Sequence, residues 1–306
     1  MRSGGPRCGD VRRRFAAAVG VMSVAGCSAV LGIDADRSLA GHASDASAGG
    51  ASAGGAGAGA WDCLGAPGEQ LNPNEHVDIT LLVMDAVQAS TSAGAIDGGS
   101  DLDTVSGAWL PGVAVRACAL RDLECDSGTT PMVTTDDGGA ATFQLMEDFA
   151  GFFDMRRSDL VPATLYPGQL LIGQSVASFP AYEISPAGLR ELASSITSEP
   201  LGLDSNGSLG HALVTVYDCL DHQASGVTVA YSVSGASTVP FYFQGGLPSA
   251  TAASTDAYGL AGAVNVPTGA MTVTASLPAT KTPVGMAAFL VRPGALTFAW
   301  IRARTH

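Results

Sequence analysis

The sequence predicts an all-β protein: two tandem β-sandwich domains with a short helix in the connection, behind a disordered N-terminal signal and tether. Three observations predict it. From Trp61 onward, branched and aromatic residues recur in short runs separated by Gly, Pro, Asp and Ser, the pattern of short strands with turns between them. A set of three motifs occurs twice in the same order along the chain. A single segment carries a helical apolar period with a helix-start signal. The expected division is residues 1–26 as signal peptide, 27–60 as a tether headed by Cys27, 61–184 as the first sandwich, 185–204 as the helical connection and 205–306 as the second sandwich.

At the N-terminus, Arg12, Arg13 and Arg14 form a positive region, and Phe15 to Gly26 form an apolar run too short to span a bilayer. That is the layout of an export signal. Val24-Ala25-Gly26-Cys27 resembles the bacterial lipobox. The resemblance implies cleavage after Gly26 and acylation of Cys27, and several acyl chains hold a membrane far better than one. Ser28, rather than Asp, follows the cysteine, which in the best-known sorting rule implies the outer membrane. Residues 1–26 carry five arginines and one aspartate, so the cleaved chain has 10 basic and 27 acidic side chains and a net charge of −17. Such a chain is repelled by an anionic lipid surface and stands off it. Ser38 to Ala60 is nearly all Ala, Gly and Ser and reads as a flexible tether with a reach of about 25 Å. Gly50-Ala51-Ser52-Ala53-Gly54 spells GxSxG there, but no strand precedes it and no helix follows, so it is not a nucleophile elbow.

The folded part opens with Val77 to Ala86, an apolar strand. Val113 to Cys118 alternates, with Val113, Val115 and Ala117 on one face. Met132 to Leu145 reads as two strands around Asp136-Asp137-Gly138-Gly139. Ser185 can cap a helix that Pro186 begins, with Leu189, Leu192, Ala193 and Ile196 on one face, packed against a sheet. In the second half, Leu213 to Asp218 matches Leu81 to Asp85, Gly226-Val227-Thr228-Val229 matches Gly112-Val113-Ala114-Val115, and Thr255 to Gly259 matches Thr135 to Gly139. Three matches in order argue for two related β-domains.

The order of strand, GVxV strand, T-D-x-x-G turn and apolar strand resembles the carboxypeptidase regulatory-like or transthyretin-like β-sandwich group, over roughly residues 77–145 and 212–275. The resemblance implies accessory, non-catalytic domains that adhere, space or stabilise. In the turns, Thr135, Asp136, Gly139, Thr255, Asp256 and Gly259 are then structural: Asp accepts backbone N–H bonds and Gly takes a positive φ. The Gly-Cys-Ser lipobox, the tether and the Asp-Cys strand ends also resemble the predicted lipoproteins of myxobacteria, a likeness that implies no activity.

Removing Cys8 with the signal and Cys27 by acylation leaves Cys63, Cys118, Cys125 and Cys219. An even set in an exported chain favours two disulfides, with three possible connectivities. Cys118 and Cys125 are close enough in sequence for a local bridge, which leaves Cys63 and Cys219 to each other. No CxxC is present, so zinc is not expected. Asp97, Asp101 and Asp103 lie in a Gly-rich loop; a solvated acidic loop is the expectation and calcium the alternative, because the EF-hand order and its closing Glu are missing. His42, His76, His211, His222 and His306 show no metal-ligand spacing, and His222 is expected to be solvated. Phe241-Tyr242-Phe243 and the cluster Phe149, Phe152 and Phe153 are expected to pack in cores rather than form a sugar platform, as are Trp61, Trp109 and Trp300. No P-loop, Rossmann glycine pattern or kinase set occurs, so no cofactor is expected.

The composition excludes whole classes. Charged residues make up 14% of the 306-residue chain, against about 25% in a typical soluble protein. The acidic balance argues against nucleic acid as a partner. The expected role is a cell-envelope lipoprotein, anchored to the membrane and displaying non-catalytic domains to an envelope protein or polysaccharide. The alternative is an envelope hydrolase, or its accessory subunit, acting on peptide or polysaccharide.

Overall fold

The computed structural model describes residues 59–64, 76–85, 109–147, 149–168, 176–196, 207–245 and 247–303. The signal, Cys27, the tether up to residue 58, and Asp97, Asp101 and Asp103 lie outside the described residues.

Two parallel-plus-antiparallel sheets follow one plan. In the first repeat, β1 (His76–Asp85) lies between β4 (Ala140–Met146), antiparallel, and β7 (Val176–Glu183), parallel. In the second, β8 (Leu209–Tyr217) lies between β12 (Leu260–Pro267), antiparallel, and β15 (Leu296–Arg302), parallel. Facing the first sheet are β2 (Ala114–Ala119), β5 (Gly151–Arg156) and β6 (Ala163–Tyr166), with the short β3 (Val133–Thr134) on the edge beside β2. Facing the second are β9 (Thr228–Tyr231), β13 (Gly269–Ser276) and β14 (Pro283–Val291). The second repeat adds a hairpin, β10 (Val239–Gln244) and β11 (Leu247–Ser249), which extends its first sheet beyond β12.

The fold is all-β, with one described helix, α1 (Pro186–Ile196), between the repeats. The Ser185 hydroxyl accepts the Gly188 N–H at 3.1 Å, which caps the helix, and Pro186 takes the first helical position, where no N–H is needed. Leu189, Leu192, Ala193 and Ile196 are buried. Leu189, Leu192 and Ile196 pack in one cluster with Leu213, Val264, Phe241 and Phe243. The β12–β8–β15 sheet is therefore covered on both faces, by the helix on one and by the sandwich core on the other. That explains why β8 reads as an almost continuous buried run rather than an alternation.

The two sandwiches are fused rather than strung apart. β15 pairs in parallel with β6, Leu296 opposite Ala163 through Ala299 opposite Tyr166. A single nine-stranded sheet therefore runs through both repeats in the order β11-β10-β12-β8-β15-β6-β5-β2-β3. Phe152 and Phe153, which the sequence shows as part of an aromatic cluster, lie within the strand β5. β5 is buried on both faces, so its side chains divide between two cores. Phe153 and Met155 join the core of the first repeat, while Phe152 joins the core of the second. Trp300 makes the reverse crossing: it sits on β15 but packs in the first core, 5.3 Å from Phe179 between ring centroids. The adjacent aromatics of β10 also divide. Phe241 and Phe243 are buried beside the helix, and the Tyr242 hydroxyl accepts the Val229 N–H at 2.9 Å on the opposite sheet.

Candidate functional site

The repeated motif builds the same corner twice. Thr135 is buried in the first repeat; its hydroxyl accepts the Val113 N–H at 2.9 Å and donates to the Leu110 carbonyl at 2.6 Å. Thr255 does the same in the second, accepting from Val227 at 3.0 Å and donating to Ala224 at 2.7 Å. Gly112 donates to the Thr135 carbonyl and Gly226 to the Thr255 carbonyl, and both glycines have φ near +75°, at 76° and 74°. Asp136 accepts from the Gly138 and Ala140 N–H groups, both at 2.9 Å, and Asp256 accepts from Tyr258 at 3.0 Å. Gly139 and Gly259 then press against the preceding strand. A Cβ at Gly139 would stand 2.7 Å from the Val83 carbonyl oxygen, and one at Gly259 2.5 Å from that of Val216. The aspartates are thus engaged with backbone amides at a turn, and the threonine fastens that turn to the GVxV strand.

Two disulfides flank these corners. Cys118 and Cys125 are bridged, Cα atoms 5.4 Å apart, and close the loop after β2. Within that loop Asp122 accepts from the Asp126, Ser127 and Gly128 N–H groups and from the Ser127 hydroxyl, and the hydroxyl bond above all holds its carboxyl below the ordinary range. Cys63 and Cys219 are bridged, Cα atoms 5.6 Å apart. Trp61, Cys63 and Leu64 pack against the second core although they precede β1 in sequence, and the Ala60 carbonyl accepts the Cys219 N–H.

A cleft lies where the repeats meet. It has a volume of about 450 Å³ and is lined by Asp154 and Thr164 of the first repeat, Thr268 and Arg292 of the second, and Glu124 of the disulfide loop. Asp154 accepts from Arg292 Nη1 and pairs with Arg156 Nε at 2.8 Å. Arg292 also donates to the Leu123 carbonyl at 2.6 Å, and its guanidinium lies 5.2 Å from the centroid of the Phe152 ring. Asp154 and Arg292 are each only 12% exposed, so this pair is largely shielded from water and from salt. Below it, the Thr164 hydroxyl donates to Thr297 Oγ1 across the β6–β15 ladder, and Thr297 Oγ1 donates to the Leu290 carbonyl. Asp154 is thus engaged by Arg156 and Arg292, and the Asp154–Arg292 pair is a clamp between the repeats. Sequence reasoning missed this pair. The signal was present: a lone Asp inside the apolar run Gly151-Phe152-Phe153-Asp154-Met155 must find a cation if it is buried.

One buried acid stands apart. Glu183, at the end of β7, has no solvent exposure, and neither carboxyl oxygen has a hydrogen-bond partner among the described residues. Burial pushes its carboxyl up to about 9, against a smaller downward pull from Arg157. Arg157 itself is engaged by Asp159 at 2.7 Å and by the Pro111 carbonyl at 2.9 Å. The described histidines are scattered: His76 opens β1, His211 is buried in β8, and His222 is exposed beside Asp218. Among the described residues no group of three or more His, Cys, Asp or Glu is placed to hold a metal ion.

Fold and junction together define a protein of two fused β-sandwich repeats. No protein-family model matches the chain, and no curated relative does. Solved structures similar to it include the Bacillus anthracis TIE protein, at 10% identity and a TM-score of 0.24 over 75% of this chain; the match spans 34% of that protein. The shaft pilin SpaA of Lactobacillus rhamnosus GG is similar at 12% identity and a TM-score of 0.24, over 76% of this chain and 98% of that one. The major pilin subunit BcpA of Bacillus cereus is similar at 8% identity and a TM-score of 0.23, over 72% and 70%. Overlaps at these TM-scores leave the function to be argued from the chain's own residues.

Proposed function

We propose that the chain is a cell-envelope lipoprotein, anchored in the outer membrane through acyl chains on Cys27, that displays two fused β-sandwich repeats as a rigid, non-catalytic unit for binding or spacing. The observation that carries the display reading is the β6–β15 pairing. A continuous sheet, with the Asp154–Arg292 clamp beside it, resists bending between the repeats and transmits position along the unit. Exchange of Phe152 and Trp300 between the two cores supports the same reading, since neither repeat closes its core without the other. The membrane anchor rests on the lipobox-like Val24-Ala25-Gly26-Cys27, and the acidic charge of the cleaved chain favours a unit held away from anionic lipid. The partner class is an envelope protein or polysaccharide.

The anchor is tested by Cys27→Ser in cells fed labelled palmitate. The wild type takes up label and fractionates with membranes, and the variant does neither. A variant that still fractionates with membranes, beside a wild type without label, overturns the lipoprotein reading. Proximity labelling from the native envelope then identifies the partner.

A further inference from the structure

The junction between the repeats pairs two strands whose counterparts, β14 and β7, are both sheet edges among the described strands. At the junction, β6 of the first repeat takes β15, the last strand of the second, in parallel on its outer edge. The ladder registers identify the counterparts of both strands. β5 lies on β2 as β13 lies on β9, and β6 lies on β5 as β14 lies on β13, with Leu165 opposite Phe153 and Ala287 opposite Val273. Ala163–Tyr166 therefore corresponds to Gly285–Ala288. β7 lies on β1 as β15 lies on β8, so Val176–Phe179 corresponds to Leu296–Ala299. Among the described strands, nothing pairs with the outer edge of β14 or with the outer edge of β7.

The β14 edge has the features of a strand acceptor. Thr272, opposite Ala288, directs its N–H and carbonyl to Ser232 on the far side of β13. Ala288 therefore directs its own away from β13, and by alternation so does Met286. Two positions on, the Leu290 N–H and carbonyl leave the same edge and meet Tyr166 Oη and Thr297 Oγ1. Among the described residues no strand lies beside the Gly285–Ala288 stretch, and Met286 within it is 59% exposed. The strand Pro283–Val291 reads PVGMAAFLV, without one charge; its proline, Pro283, and the register shift of its ladder with β13, between Gly285 and Pro283, both fall at its start, before Met286–Ala288. Edges left open are ordinarily guarded by charge, proline or a bulge that turns them away.

We propose that β14 of one copy pairs in parallel with β7 of a second copy, repeating between chains the β6–β15 junction found within one. The register that follows sets Val176 of the second copy opposite Gly285, Ala177 opposite Met286, Ser178 opposite Ala287 and Phe179 opposite Ala288. The contact is head-to-tail: each chain offers one edge from each repeat. Such a contact builds a ring where the rotation between neighbours closes and an open series of chains where it does not. Main-chain hydrogen bonds supply the affinity, as in other strand-addition complexes.

The test uses the full chain carrying Cys27→Ser, so that acyl chains cannot drive association. Directly opposed residues of paired strands lie within disulfide reach. Under mild oxidation Ala177→Cys combined with Met286→Cys gives a ladder of dimers, trimers and longer chains on a non-reducing gel, collapsing on reduction. The combination Ala177→Cys with Ala288→Cys, two residues out of register, gives at least tenfold less. By sedimentation velocity, the average mass of the chain without added cysteines rises with concentration. Met286→Lys lowers the association at least tenfold, and so does Ala288→Pro, whose missing N–H lies on the open edge and leaves the β13 ladder intact. A chain that stays monomeric, a ladder indifferent to register, or association that survives both β14 variants overturns the proposal.

Discussion

The two repeats share the threonine bonds of their corner and differ in what lies beside β6 and its counterpart β14. Thr135 and Thr255 make the same pair of buried hydrogen bonds, at distances that agree within 0.1 Å. Around that constant corner, β6 is an interior strand and its counterpart β14 an edge. The same exchange runs through single positions. Phe152 on β5 is fully buried in the second core, and its counterpart Thr272 on β13 is partly exposed. Glu183 ends β7 as a buried carboxyl, and its counterpart Ala303 follows β15 as a buried methyl. The repeated residues therefore specify the repeat, and the residues that break the symmetry specify how one repeat meets the next.

The largest expected effect separates the two disulfides. Cys63–Cys219 spans 156 residues and Cys118–Cys125 spans 7. In the chain-entropy account, replacing the first pair with serine costs about 5 kcal/mol and replacing the second about 2.5 kcal/mol. Urea unfolding measures both, and a larger cost for the short loop would place strong tertiary interactions around Cys118. Next, Phe152→Ala removes a ring from the shared core and costs about 4 kcal/mol, while Thr272→Ala stays within about 0.5 kcal/mol. Equal costs would mean that the two sheet faces are covered alike.

Glu183 gives the comparison a pH dependence. Its folded pKa, near 9, lies above the value of about 4.5 for an ordinary glutamate. The folded chain holds a proton that the unfolded chain releases. Its contribution to stability is therefore complete below pH 4.5 and is lost as the pH rises towards 9. Glu183→Gln should match the wild type at pH 4 and exceed its stability by about 3 kcal/mol at pH 7. Melting curves that shift in parallel at both pH values would show that the carboxyl finds a cation in the folded state. Smallest are the corners: Thr135→Val and Thr255→Val each leave a buried N–H and a buried carbonyl unpaired, at about 2 kcal/mol apiece. Costs that differ by more than about 1 kcal/mol would break the equivalence of the repeats.

Much of the fold was legible because it was written twice. The GVxV and TDxxG strings need small or hydroxyl residues at fixed offsets, and such needs survive as letters. The helix was legible from Ser185, Pro186 and the spacing of four apolar residues. The bonds that the two threonines make were not legible, since a hydroxyl that ties a turn to a strand 22 or 28 residues upstream leaves no local pattern. β5 and β6 were missed for another reason. A strand buried on both faces does not alternate, so Gly151–Arg156 read as an aromatic cluster. The junction, and with it the candidate site, was hidden because pairing of β6 with β15 joins residues more than 130 positions apart.

The central claim is that the repeats are one structural unit, fused by a shared sheet and exchanged core residues. Scanning calorimetry of the disulfide-intact chain tests it most directly. The account predicts one unfolding transition whose calorimetric and van't Hoff enthalpies agree. Two resolved transitions, or a calorimetric enthalpy near twice the van't Hoff value, would contradict it.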